Sequence, residues 1–180
     1  MHPDAMKKRP YSIQEYNPDW VVKFESIKKF LEEVFKEKAI HIEHVGSTSI
    51  PGIKAKPVID VAVLVNNIEP FTEERKQMYE AGYKSIDNYI GPNTLIFYKE
   101  DKDQRKTENI HIWPKDHPKA DRTILMRDYF RTHSDQVKKY QELKERLTKE
   151  FPDDYPAYRA GKDIFLDEIA VLSKEWGDSQ

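Results

Sequence analysis

The chain has 180 residues, 38% hydrophobic and 34% charged, with a formal net charge of −2; this allows one domain with a sizeable core and excludes a disordered chain or a broad nucleic-acid coat. It has no cysteine, so disulfides, thiolate zinc sites and cysteine nucleophiles are excluded. No apolar run approaches the ~18–20 residues needed to cross a membrane, and the opening MHPDAMKKRP lacks the apolar core of a secretion signal, so the expected location is the cytoplasm.

Residues 1–10 are polar and expected to be flexible; 11–177 read as a single domain without repeats or linkers. Asn17 and Pro18 predict a helix start. The helix runs to about Glu37, with Val21, Phe24, Ile27, Leu31, Val34 and Phe35 on one face. Ala39–Val45 alternates as a strand, with Ile40, Ile42 and His44 on one side. A loop over 46–56 turns at Pro51-Gly52. The strand expected over 57–65 is apolar on both faces, which places it centrally in a sheet.

Further along, 71–81 predicts a helix stopped by Gly82, and 83–89 and 93–100 predict strands. A charged hairpin at 101–106 leads to a strand over 107–113 that puts Asn109, His111 and Trp113 on one face. Three helices follow. The first opens at His117-Pro118 and turns Ile124, Leu125, Tyr129 and Phe130 inward. The second, capped by Ser134-Asp135, runs through Val137, Tyr140, Leu143 and Leu147 to about Phe151. The third covers 157–176, with Ile164, Phe165, Ile169 and Leu172 inward.

The chemistry concentrates in IEHVGSTSIPGIKAKPVIDVAVLV, residues 42–65. Gly46, Ser47, Thr48 and Ser49 offer backbone N–H groups and hydroxyls of the kind that hold a phosphate; the same hydroxyls could simply cap one another's backbone. Asp60 is an acid inside an apolar strand, a costly placement unless it is paired or binds a cation. Its available protein partners are Lys56, Arg105 and His111. His44, next to the loop, is either a hydrogen-bonded strand-end histidine or a ligand-facing one. Arg127, Arg131 and Lys162 are possible phosphate partners against a background in which most helix lysines and arginines are solvated. Together these residues point to a phosphorylated ligand accompanied by a divalent cation.

The stretch HVGSTSIPGIKAKPVIDV resembles the GrpB family, and the Val45-Gly46-Ser47…Asp60 spacing resembles the nucleotidyltransferase (DNA polymerase beta-like) superfamily; IHIW and RDYFRTH also look like GrpB sequences. The resemblance runs from about Tyr11 to Trp176. It implies an α+β fold: a nucleotidyltransferase-like mixed sheet with flanking helices and a helical C-terminal region. It implies a magnesium- or manganese-dependent transferase in which Asp60 and His111 are catalytic and hold the metal. The ligand's phosphates would then meet His44, Gly46, Ser47, Thr48, Ser49, Lys56, Arg127, Arg131 and Lys162. Ala62 stands where the superfamily has its second acid, which favours a one-ion site. A non-catalytic nucleotide- or CoA-type binding role is the alternative. The expected partner is a nucleotide or other phosphorylated small molecule, not a membrane or bulk nucleic acid.

Overall fold

A computed structural model describes residues 11–180; the expectation for residues 1–10 lies outside them. Every residue of β2 (Ile59–Val65) except Asp60 is buried. The strand lies between β1 (Ala39–Val45), antiparallel to it, and β5 (Lys106–Pro114), parallel to it. Beyond β5 come β4 (Leu95–Glu100) and β3 (Lys84–Asp87), both antiparallel to their neighbours, giving a five-stranded mixed sheet in the order β1-β2-β5-β4-β3. A strand apolar on both sides needs cover on both sides, and the sheet has it.

One face packs on α1 (Asp19–Phe35) and α2 (Thr72–Glu80). Trp20, Phe24, Ile27, Leu31 and Phe35 meet Ile59, Val61, Val63, Phe97, Ile110 and Ile112 there. Asn17 caps α1 as expected: its Oδ1 accepts the Asp19 N–H at 2.9 Å. Val21 does not face inward and is 44% exposed. Trp20 takes its place, because a stripe through 20, 24, 27 and 31 leaves position 21 about 100° away. Ile40 is also exposed: the pairing register shifts between Ala39 and His41, and this irregularity on the edge strand turns Ile40 outward.

The other face carries Val45, Ala62, Leu64 and Trp113 against Ala120 of α3 (Pro118–Thr132). Helices α3, α4 (Ser134–Glu150) and α5 (Tyr155–Asp178) form a second apolar cluster with Tyr129, Phe130, Tyr140 and Ile169, into which the loop residues Ile50 and Ile53 insert. His117 opens α3, its Nδ1 accepting the Lys119 N–H at 3.2 Å ahead of Pro118. His133, not Ser134, precedes α4, and its side chain makes no cap. The chain breaks between α4 and α5, and Asp154 caps α5 through the Ala157 N–H at 3.0 Å, so the last helix opens at Tyr155-Pro156, two residues before the expected start. The inward stripe of α5 runs through Tyr158, Ile169 and Ser173. Ile164 lies off that phase and is 70% exposed, and Leu172 is exposed with it, against the expectation for both. No helix among the described residues is long and apolar enough to cross a membrane.

Candidate functional site

The loop after β1 is a fixed shape. Gly46 leaves the strand at φ 72°, ψ −175°, a region open almost only to glycine. A single 3-10 turn, Ser47–Ser49, follows. Ser49 Oγ donates to the Gly46 carbonyl at 2.6 Å and Thr48 Oγ1 to the Val58 carbonyl at 3.2 Å. Arg131 clamps the far end, donating Nε and a terminal nitrogen to the Ser49 carbonyl at 3.0 and 2.9 Å. Arg127 is buried and bonds Glu43 at 2.6 Å, the His44 carbonyl at 3.1 Å and Asp128 at 2.8 Å. Thr48, Ser49, Arg127 and Arg131 are thus committed to holding the loop and β1. The Ser47 side chain turns toward the Tyr140 phenol of α4.

His44 lies on the opposite face from Asp60. It pairs across the ladder with Val61, while Val45 pairs with Asp60. Its ring stacks on Phe24 at 4.7 Å and its Nε2 is 3.0 Å from Thr48 Oγ1. Burial, with Arg131 nearby, pushes its pKa down to about 4. The folded value is below that of the unfolded chain, so the unfolded state binds the proton first. Stability therefore falls as pH drops below about 6.5, by about 1.4 kcal/mol per unit at most. His44→Gln should flatten urea-measured stability between pH 6.5 and 5, and an unchanged slope would rule the histidine out as its source.

Asp60 is where strand and loop meet. A methyl group built on Gly46 would lie 2.6 Å from Asp60 Oδ2, so the glycine backbone rests directly against the carboxylate. Asn109, its register partner on β5, donates Nδ2 to Oδ1 at 2.8 Å, and His111 Nε2 stands 3.8 Å from the same oxygen. The Asp60 side chain remains 29% exposed and that of His111 18%. Arg105 is elsewhere, beside Asp103 on the hairpin.

These residues do not make a protein-built metal centre. Ala62 is fully buried and carries no ligand atom. Glu43 lies opposite Ala62 across the β1–β2 ladder but is tied to Arg127. His111 Nδ1 is buried without a hydrogen-bond partner, whereas a metal-binding histidine is normally oriented through its second nitrogen. Among the described residues, no group of three His, Cys, Asp or Glu side chains could hold an ion.

The helices supply the remaining wall. Lys162 Nζ lies 4.7 Å from the Tyr158 ring centroid, within electrostatic reach of Asp60. Lys56 Nζ lies 3.9 Å over the Tyr155 ring. Lys144 is 1% exposed, donates Nζ to the Lys54 carbonyl and sits 4.5 Å from the Tyr140 ring. Of the residues expected at the site, Gly46 and His111 adjoin Asp60; Ser47 follows Gly46 in the loop, and Lys162 acts on Asp60 at longer range. Asn109, Tyr140, Lys144 and Tyr158 were not anticipated. Lys144 had a signal: it occupies an inward position of α4 with Tyr140 and Leu147, where a lysine is out of place.

The family model described as GrpB protein matches residues 10–171. The chain belongs to the GrpB family. It is 34% identical to the UPF0157 protein YqkA of Bacillus subtilis over 94% of the chain, but spans only 49% of that relative. A crystal structure of conserved protein GrpB from Enterococcus faecalis superposes with a TM-score of 0.84 at 30% identity, covering 92% of this chain and 99% of that one. A dephospho-CoA kinase of Mycolicibacterium paratuberculosis is 22% identical over 96% of the chain, which corresponds to 48% of the kinase's length.

Proposed function

We propose that this GrpB protein binds a phosphorylated small molecule of nucleotide type in the cleft between the Gly46–Ser47 backbone, Asp60 and Lys162. One observation carries the reading. Asp60 alone of the β2 residues escapes burial, and its carboxylate lies against the Gly46 backbone with Lys162 in electrostatic range. In this reading backbone donors, a carboxylate and an ammonium share one opening, as a ligand with both phosphate and hydroxyl groups requires. The likeness to part of a dephospho-CoA kinase supports a nucleotide-type ligand, and the mixed sheet with helices on both faces is compatible with a nucleotidyltransferase-like architecture.

Nucleotidyl transfer is the second reading, favoured by the exposed Asp60 beside His111. An acceptor hydroxyl would lose its proton to Asp60, its oxygen would bond to the nucleotide's α-phosphorus, and pyrophosphate would leave. A single magnesium or manganese ion held by Asp60, with His111 adjoining, belongs to this reading; magnesium commonly takes one or two carboxylates and completes its shell with phosphate oxygens and water.

Thermal shift with nucleoside triphosphates, CoA and dephospho-CoA, with and without Mg2+ or Mn2+, tests both. At a hundredfold excess over Kd a true ligand should stabilise the wild type by about 2.7 kcal/mol, or roughly 5–10 °C, and Asp60→Asn should change the response. Pyrophosphate release would select transfer. If no compound shifts the wild type, or each shifts both proteins equally, the cleft is not the site.

A further inference from the structure

Two helix lysines, Lys144 and Lys162, rest on tyrosine rings without a carboxylate in ion-pair contact. The Lys144 ammonium is buried against the Lys54 carbonyl and the Tyr140 ring. The Lys162 ammonium rests on the Tyr158 ring. Among the described residues neither makes an ion pair within 4.0 Å. Lys162 repels Lys144, and Arg159 adds further positive charge at Lys162. Tyr155 and the Asp163 carboxylate act on Lys162 in the opposite sense, and Asp60 does so more weakly, but none of them is in ion-pair contact with it.

Withdrawing an ammonium from water is costly unless an anion compensates it. Tyrosine rings soften that cost, since a cation over an aromatic face is attracted to it, but they carry no net charge. The Tyr140 and Tyr158 phenols are kept protonated by burial and so remain hydrogen-bond donors. Two ammoniums and two phenols on the facing helices lack, at contact distance, a group with two negative charges and several acceptor oxygens. A phosphoryl group has both; a carboxylate would offset only one lysine. The same wall also answers the missing acid at position 62. Where a two-ion site would neutralise phosphate with metal, this chain has helix cations beside its single carboxylate.

We propose that Lys144 and Lys162 together seat the doubly charged phosphoryl end of the ligand without a metal ion. This rests on the ligand-binding reading above and specifies it: the ligand is a phosphate monoester or diphosphate whose charged end lies toward α4 and α5. Asp60 then faces the remainder of the molecule, since its own charge repels the phosphoryl end.

Isothermal titration with inorganic pyrophosphate in EDTA, at constant ionic strength, tests the seat. The wild type should bind. Lys162→Gln and Lys144→Met should each weaken binding at least tenfold, and Asp60→Asn should bind as well as the wild type or tighter. Lys162 is only partly buried, so its variant remains informative even if Lys144→Met fails to fold. Binding that requires added Mg2+ or Mn2+ and is lost in Asp60→Asn overturns the seat while leaving the ligand-binding function standing. Undiminished binding by Lys162→Gln also overturns it. Failure of pyrophosphate to bind, with nucleotides still giving a thermal shift, removes the seat alone; failure of every compound removes both.

Discussion

Gly46→Ala is expected to lower the unfolding free energy by about 2–4 kcal/mol and to abolish stabilisation by any ligand of the cleft. Two separate causes act at this position. The backbone is at φ 72°, ψ −175°, where a Cβ is strained whatever surrounds it. The added methyl would also lie 2.6 Å from Asp60 Oδ2, closer than non-bonded atoms tolerate, and 3.1 Å from Asp60 Cβ, a tight contact. The neighbour cannot retreat easily, because Asp60 sits in the central strand and its Oδ1 is held by Asn109. A double-mutant cycle separates the causes. Asp60→Ala removes the oxygen and should recover about half of the lost stability, leaving the backbone strain and the residual Cβ contact. If the two losses simply add, the glycine and the aspartate are not in contact, and the shared opening on which the binding site depends does not exist. Urea denaturation of the four proteins decides this without knowledge of the ligand.

The elements that were legible in the sequence are those whose pattern has a single physical interpretation. A run apolar on both faces, interrupted by one acid, has to be a central strand, and β2 is one, with Asp60 its only unburied residue. The alternation through Asn109, His111 and Trp113 put those side chains on one face, and the parallel register places them beside Asp60, Ala62 and Leu64. Helix phase was less legible. In α1 and α5 more than one apolar stripe fits the spacing, and the packing chose Trp20 over Val21 and Tyr158 over Ile164. The candidate site was half visible. Loop and acid adjoin in sequence, so their meeting could be read from spacing. The roles of Arg127 and Arg131 could not: both are helix cations at compatible distances from a phosphate loop, but long-range contacts of 82–84 residues in separation commit them to Glu43 and to the carbonyls of His44 and Ser49. The lysine–tyrosine wall depends on how α4 and α5 stack, which no local pattern encodes.

Lys144→Met should make the unliganded protein more stable at pH 7, by about 1–3 kcal/mol, and the advantage should shrink toward zero by pH 9.5. Burial, with Lys162 nearby, pushes the Lys144 pKa down to about 7 from 10.5. Between those values the unfolded chain holds a proton that the folded chain has released, so stability rises with pH across the window; below about 7 both states are protonated and the full penalty remains. A shift of this size corresponds to about 5 kcal/mol at most and about 4 kcal/mol at pH 7; the lost Nζ bond to the Lys54 carbonyl subtracts about 1 kcal/mol, and relaxation around the buried amine lowers the remainder further. Methionine fills the same volume without a charge. Tyrosine ionisation in the unfolded chain opposes the trend above about pH 10, so the comparison ends before it. An advantage that does not vary with pH would mean that the lysine titrates normally and carries no burial penalty. A buried cation that weakens the empty protein is easiest to understand if its counter-charge arrives with the ligand. Saturating pyrophosphate at pH 7 should then reverse the order, stabilising the wild type above Lys144→Met, because the anion binds the protonated amine and draws its pKa back up.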